Sequence, residues 1–223
     1  MVGLAAISLT FTISGCGYSK SNDMAVSDAL NSDRMLPVIV TDSKSNLGKD
    51  YIIWAGYIGN GKIKGMQLSG VDTQVTYNDL KKLNDDKFGE ILEDMGKVYD
   101  DNGKKIDTRK FITKKAQTVI VPNEENDKAE TVLFNFLDNQ KGIEHTALKK
   151  EIEGGSFSSP VEKDPDSEWS TIKSQEETDK PGDFEGYELH IKTTKDRGIK
   201  MEKPDEYAKK YDNVKIDPDA LQW

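Results

Sequence analysis

The stretch Tyr51-Ile52-Ile53-Trp54-Ala55-Gly56-Tyr57-Ile58 constrains the fold more than any other part of this chain. Aromatic and β-branched residues dominate it, and such side chains pack best on a pleated backbone. Gly59-Asn60-Gly61 follows, three residues that reach positive φ at little cost. Lys62-Ile63-Lys64-Gly65-Met66-Gln67-Leu68 then alternates polar and apolar. Strand, tight turn and strand make an antiparallel hairpin. Period-two geometry places Tyr51 and Tyr57 on one face of the first strand and Trp54 on the other. An exposed aromatic face suits a sugar or a peptide, so Tyr51, Trp54 and Tyr57 form a candidate binding surface. Packing in a core is the competing account of the same three residues.

Further strands are expected at Leu36–Val40, Thr118–Val121, Thr131–Leu137, Ala147–Ile152, Tyr187–Thr193 and Val214–Ile216. Asp101-Asn102-Gly103 reads as a second turn, flanked by Val98-Tyr99 and Lys105-Ile106. Thr76-Tyr77-Asn78-Asp79 has the pattern of a capping box, since the Thr hydroxyl can accept from the third helical N–H and Asp79 can reach back. It predicts a helix over Tyr77–Met95, broken near Asn84-Asp85-Asp86 and ended by Gly96. Pro204–Tyr211 predicts a second helix with proline in its first turn. Residues 158–186, with Pro160, Pro165, Pro181 and many acids, read as a long acidic loop or linker. The expected class is α+β, mainly antiparallel strands with about two helices.

Composition removes several functions. The chain has 223 residues and a formal net charge of −9, which disfavours nucleic acid, because phosphate binding needs clustered Lys and Arg. Arginine occurs only at Arg34, Arg109 and Arg197. A mean hydropathy of −0.69 indicates a water-facing body. Cys16 is the single cysteine, so no disulfide staples the fold, and its apolar core must hold it.

Cys16 stands at the end of an uncharged N-terminal run, Met1–Thr12, followed by Ile13-Ser14-Gly15. An aliphatic residue at −3, small residues at −2 and −1 and then cysteine resemble the lipobox of bacterial lipoprotein precursors. The run is too short for a membrane span, which needs about 20 residues, and suits a secretory signal. The resemblance implies cleavage between Gly15 and Cys16, a diacylglyceryl group on the Cys16 sulfur, and a mature chain on the extracytoplasmic face of a cell membrane. Met1-Val2-Gly3-Leu4 lacks the usual Lys or Arg, which places the true start upstream. Ser19-Lys20-Ser21-Asn22-Asp23 reads as a solvated tether, giving a signal at 1–15, a lipidated tether at 16–35 and a folded domain at 36–223. Lysine-rich, arginine-poor usage suggests a low-GC Gram-positive source.

No motif for chemistry survives inspection. His145 and His190 lack paired spacing for a metal. Asp100-Asp101-Asn102-Gly103 fails as a calcium loop, because Val98 and Arg109 fall where carboxylates are required. Ser170-Thr171-Ile172-Lys173 has a Ser-x-x-Lys spacing without companion motifs, inside the expected acidic loop. Gly59-Asn60-Gly61-Lys62 lacks the spacing of a phosphate loop. The reading is a non-enzymatic binding or accessory module with no catalytic residues, metal or cofactor, and an envelope protein or glycan as its partner. Two alternatives stay open: a carboxylate-based hydrolase of cell-wall or extracellular polymers, and a lipid-tethered inhibitor or immunity-type protein.

Overall fold

The hairpin at the centre of the chain forms as its residues dictate. In the computed structural model, β3 (Tyr51–Gly59) and β4 (Lys62–Gln67) pair antiparallel across a two-residue turn. Asn60 and Gly61 both hold positive φ, 53° and 66°, the geometry that matches the twist of the flanking strands. The structure describes residues 22–42, 51–68, 75–99, 102–125, 127–137, 156–163, 167–173, 176–177, 184–185 and 187–220. Gly15, Cys16, His145 and the strand expected at 147–152 lie outside them.

Seven further strands join the hairpin in one sheet: β2 (Leu36–Asp42), β7 (Ile112–Pro122), β8 (Ala129–Phe136), β9 (Ser156–Lys163), β10 (Trp169–Lys173), β13 (Tyr187–Lys192) and β15 (Val214–Ile216). Their order is β15-β7-β4-β3-β2-β13-β10-β9-β8. The sheet curls until β8, at one end, also pairs along β7 near the other. The pairings are antiparallel except that of β15 with β7. Short pairs stand apart: β1 (Met24–Ala25) parallel to β14 (Ile199–Lys200), β5 (Lys97–Tyr99) with β6 (Lys105–Thr108) around Gly103, and β11 (Glu176–Glu177) with β12 (Phe184–Glu185).

The curl encloses one face. Val38, Val40, Trp54, Ile58, Ile63, Ala116, Ile120, Val132, Phe134, Ile172, Leu189 and Ile191, drawn from β2, β3, β4, β7, β8, β10 and β13, make one buried cluster. α1 (Val26–Leu30) packs into it through Val26, Ala29 and Leu30. α4 (Pro204–Lys210) adds Tyr207. The opposite face of β2, β3 and β4 is covered by α2 (Tyr77–Leu80) and α3 (Asp85–Met95) through Leu80, Phe88, Leu92 and Met95. The capping box forms: Thr76 N–H donates to Asp79 Oδ2 at 3.0 Å, and Asp79 N–H donates to Thr76 Oγ1. The expected break also forms, with Asn84 Oδ1 accepting from Lys87 N–H at 2.9 Å to start α3. Lys192 Nζ donates to Leu83 carbonyl and to Asp85, pinning the break to β13.

Four sequence expectations change. The tether ends early: Met24–Leu30 enters the core, with Ala25, Val26, Ala29 and Leu30 fully buried. Their apolar side chains are separated by Ser27 and Asp28, whose polarity hides the pattern, yet both polar groups are satisfied inside the fold. The long acidic loop of 158–186 contains most of β9 and all of β10, inside the same sheet as the strands before and after. Pro160 falls where the β9–β10 register slips, a bulge that tolerates a residue without N–H. Gly96 does follow α3, but with φ −68° rather than the left-handed value. It is needed for space, since a Cβ there would meet Met66 Sδ at 2.7 Å and Arg109 carbonyl at 2.9 Å. Finally, strand predominates more than an α+β class implies, at 49% against 19% helix among the described residues, while the helix count is roughly as expected, α2 and α3 being the two halves of the helix expected to break near Asn84.

Gly56 offers a direct test of the tight crossing in the hairpin. A Cβ built there would lie 2.0 Å from Lys64 carbonyl and 2.8 Å from Gly65 Cα, both backbone atoms that cannot swing away. Gly56→Ala is expected to lower unfolding free energy by about 3 kcal/mol or more in urea denaturation, the range of severe overpacking.

Candidate functional site

The aromatic residues of β3 do not share a surface. Trp54 is 1% exposed and faces the interior of the curl. Tyr51 and Tyr57 are both half-buried. The parity that puts them together fails because β3 carries a bulge: Val40 pairs Trp54, but the next residue of β2, Thr41, pairs Ile52, leaving Ile53 unpaired. Ile53 and Trp54 therefore both belong to the inner cluster, and Tyr51 packs there too. Tyr57 lies on the outer side, its ring 5.6 Å from Phe88 and 6.2 Å from Phe111.

The polar site of the outer face is built around His190, which the sequence offers only as a metal ligand without paired spacing. β13 alternates Leu189 and Ile191 inward, so His190 points outward, yet it is only 2% exposed. Its neighbours follow from register. Thr171 is its direct partner on β10 and holds Nδ1 at 2.8 Å; Thr41, on β2, holds Nε2 at 3.0 Å. Tyr77, at the start of α2, stacks on the imidazole with centroids 4.0 Å apart. Trp169 meets Tyr77 edge-on and anchors its own indole by donating to Lys81 carbonyl at 3.0 Å. Over this floor lies a cleft of about 260 Å³, with Lys81, Lys173 and Glu188 in its wall.

The chemistry of the cleft follows from that geometry. A hydroxyl on each side satisfies either tautomer of a neutral ring. Burial pulls the imidazole down to about 3, and Lys81 and Lys173 add to the effect. Glu188 Oε2 lies 3.7 Å from Nε2, beyond hydrogen-bond length, and burial outweighs its attraction for a charged ring. His190 is thus a fixed, uncharged bridge at neutral pH rather than a proton carrier. Ser170 is likewise committed: it lies on β10, fully buried, and its Oγ accepts from Ile199 N–H at 3.2 Å. Strand alternation turns Lys173 to the opposite face, so the Ser-x-x-Lys spacing brings nothing together.

A second buried titratable group lies inside the curl. Glu202 is fully buried, and its Oε1 accepts from Ser27 N–H at 2.7 Å and Ser27 Oγ at 2.9 Å. Its Oε2 has no hydrogen-bond partner among the described residues. Burial pushes this carboxyl up to about 7, against the two bonds from Ser27. A lone sequence gives no signal for either group, since both are single polar residues within otherwise ordinary segments.

The two groups act on stability with opposite sign. His190 has a folded value near 3 and an ordinary value of 6.5, so its contribution is full above pH 6.5 and is lost as pH falls toward 3. Glu202 has a folded value near 7 and an ordinary value of 4.5, so its contribution is full below pH 4.5 and is lost as pH rises through 7. Between these ordinary values the slopes oppose each other. Glu202→Gln removes one of them. Urea denaturation of this variant is expected to show stability rising with pH across that window, by up to about 1.4 kcal/mol per pH unit, where the wild type is flatter.

Comparison with known proteins finds no match: neither a family model, nor a curated protein, nor a solved structure is similar to this chain.

Proposed function

We propose that this chain is a lipid-anchored lipoprotein on the extracytoplasmic face of a bacterial cell membrane, and that its folded body binds an envelope partner rather than transforming it. The observation that carries the reading is Ile13-Ser14-Gly15-Cys16 at the end of an uncharged apolar run. Two acyl chains, at about 0.8 kcal/mol per buried methylene, hold a protein at a bilayer far more firmly than one. Among the described residues no helix is long and apolar enough to cross a membrane, and in this reading the anchor is the lipid on Cys16. The net charge of −9 offers no general attraction to anionic head groups, which again gives the attachment to the acyl chains.

Binding is favoured over catalysis by how the described polar groups are used. Both nitrogens of His190 are held by threonine hydroxyls, and Ser170 accepts a backbone N–H. These groups shape the sheet and its cleft, and none is poised to exchange a proton with a substrate.

Cys16→Ser is expected to move the protein from the membrane fraction to the soluble fraction of fractionated cells. A variant as membrane-bound as the wild type would overturn the anchor. Crosslinking on intact cells, with Cys16→Ser as control, is expected to capture an envelope component only with the anchored form.

A further inference from the structure

The β3–β4 turn forms one wall of a second cleft, of about 440 Å³, on the side of the molecule where β7 passes from β4 to β8. This is a volume suited to a small molecule. Lys62 and Lys115 line it, and they are direct register partners across β4 and β7. Their neighbours Ile63 and Ala116 point into the core, so both lysines project from the outer face, side by side. Like charges directly opposite in an antiparallel pair are destabilising. In a chain with 40 acidic and 31 basic residues an acid at either position would relieve the cost. Neither ammonium group has a hydrogen-bond or ion-pair partner among the described residues.

The rest of the lining is fixed in place and complementary. Gly61 N–H donates to Leu30 carbonyl at 2.8 Å and Gly61 carbonyl accepts from Ala116 N–H at 3.0 Å, so the turn is rigid. Asn213 donates one side-chain N–H to Ala116 carbonyl at 3.0 Å, and Asn31 donates one to Ser27 carbonyl at 2.9 Å. A carboxamide carries two such hydrogens, which leaves each residue a further donor. Lys210 adds positive potential, although its own ammonium is held by Asp28 at 2.7 Å, and Asp212 is the one acid in the wall. Leu137, 45% exposed, closes the rim beside Lys115, whose carbonyl accepts its N–H.

We infer that this cleft binds a phosphate group, free or as the monoester of a small organic molecule, with Lys62 and Lys115 as its principal contacts. A phosphate carries about −1.5 to −2 charges near neutral pH and accepts through three oxygens, which matches two adjacent ammonium groups beside amide donors. The inference deepens the binding-module reading, and its failure would leave the membrane anchoring of Cys16 untouched.

The test is NMR titration of the full chain in detergent with inorganic phosphate and with phenyl phosphate, at constant ionic strength set by chloride. Saturable shifts of the Gly61, Lys62, Lys115 and Asn213 amides are expected. Tighter binding of phenyl phosphate would assign the site to a monoester that also touches Leu137, and equal binding would assign it to the free ion. Lys62→Gln with Lys115→Gln is expected to weaken binding at least about tenfold. Lys62→Arg with Lys115→Arg, which keeps the charge, is expected to retain binding within about threefold. Both positions are exposed, and dispersed amide spectra will verify that the variants fold. Shifts that never saturate with either probe, or a double glutamine variant that binds like the wild type, would overturn the inference.

Discussion

Burial of β3 on both sides is the constraint on which the rest of the structure depends. A strand on the surface of a simple sheet needs one covered face. β3 has Trp54 and Ile58 on the inner side and Ile52 and Ala55 on the outer, all buried. The inner side can be satisfied only if the sheet bends around it, and the meeting of β8 with β7 completes that bend. The outer side needs a second layer, which α2 and α3 supply. Rings then run in sequence across this layer, from Phe111 to Tyr57, Phe88, Trp169, Tyr77 and His190. Aromatic pairs at such separations add roughly 0.5–1.5 kcal/mol each beyond simple burial. The His190 cleft is therefore a product of the same contacts that fasten the helices.

The molecule carries its charges in a way that suits a chain without disulfides. Most are on the surface, where ion pairs such as Lys87–Glu90 are worth little. Those taken inside are given partners that also join distant segments. Asp28, in α1, receives Lys210, Tyr207 and Tyr211 from the region of α4, about 180 residues later in sequence. Lys192 ties β13 to the break between α2 and α3. Ser27 and Glu202 make a third such tie. Each holds together parts of the chain that loop closure alone would leave apart.

Local chemistry was legible in the sequence and long-range geometry was not. The Asn60-Gly61 turn, the Thr76–Asp79 capping box, the break at Asn84 and the proline at the start of α4 all depend on neighbours within four residues, and all form as the residue types require. The bulge at Ile53 depends instead on pairing with β2, and it reverses the expected side of Tyr51 relative to Tyr57. Polar residues misled in the same way. Ser27 and Asp28 suggest solvent, and the acids around Trp169-Ser170-Thr171-Ile172 suggest a loop, because a single sequence records a group's polarity but not the partner that satisfies it. His190 is the clearest case: its three neighbours, Thr41, Tyr77 and Thr171, are brought to it by register and helix docking, neither of which leaves a local mark.

The early entry of the chain into the core, already at Met24, has a geometric meaning at a bilayer. If Cys16 carries acyl chains as proposed, the six steps from that residue to Asn22 would reach at most about 20 Å even when fully extended. Under that proposal the folded body would be held within a molecular diameter of the head groups, with a preferred end downward. Asn22 carbonyl accepts from Arg197, and Asp23 receives Gly198 N–H at 2.7 Å, so this end comprises β1, β14 and the turn before β14. Such a protein would sweep a shallow layer just above the membrane, and would meet components embedded there far more often than those in the distant wall.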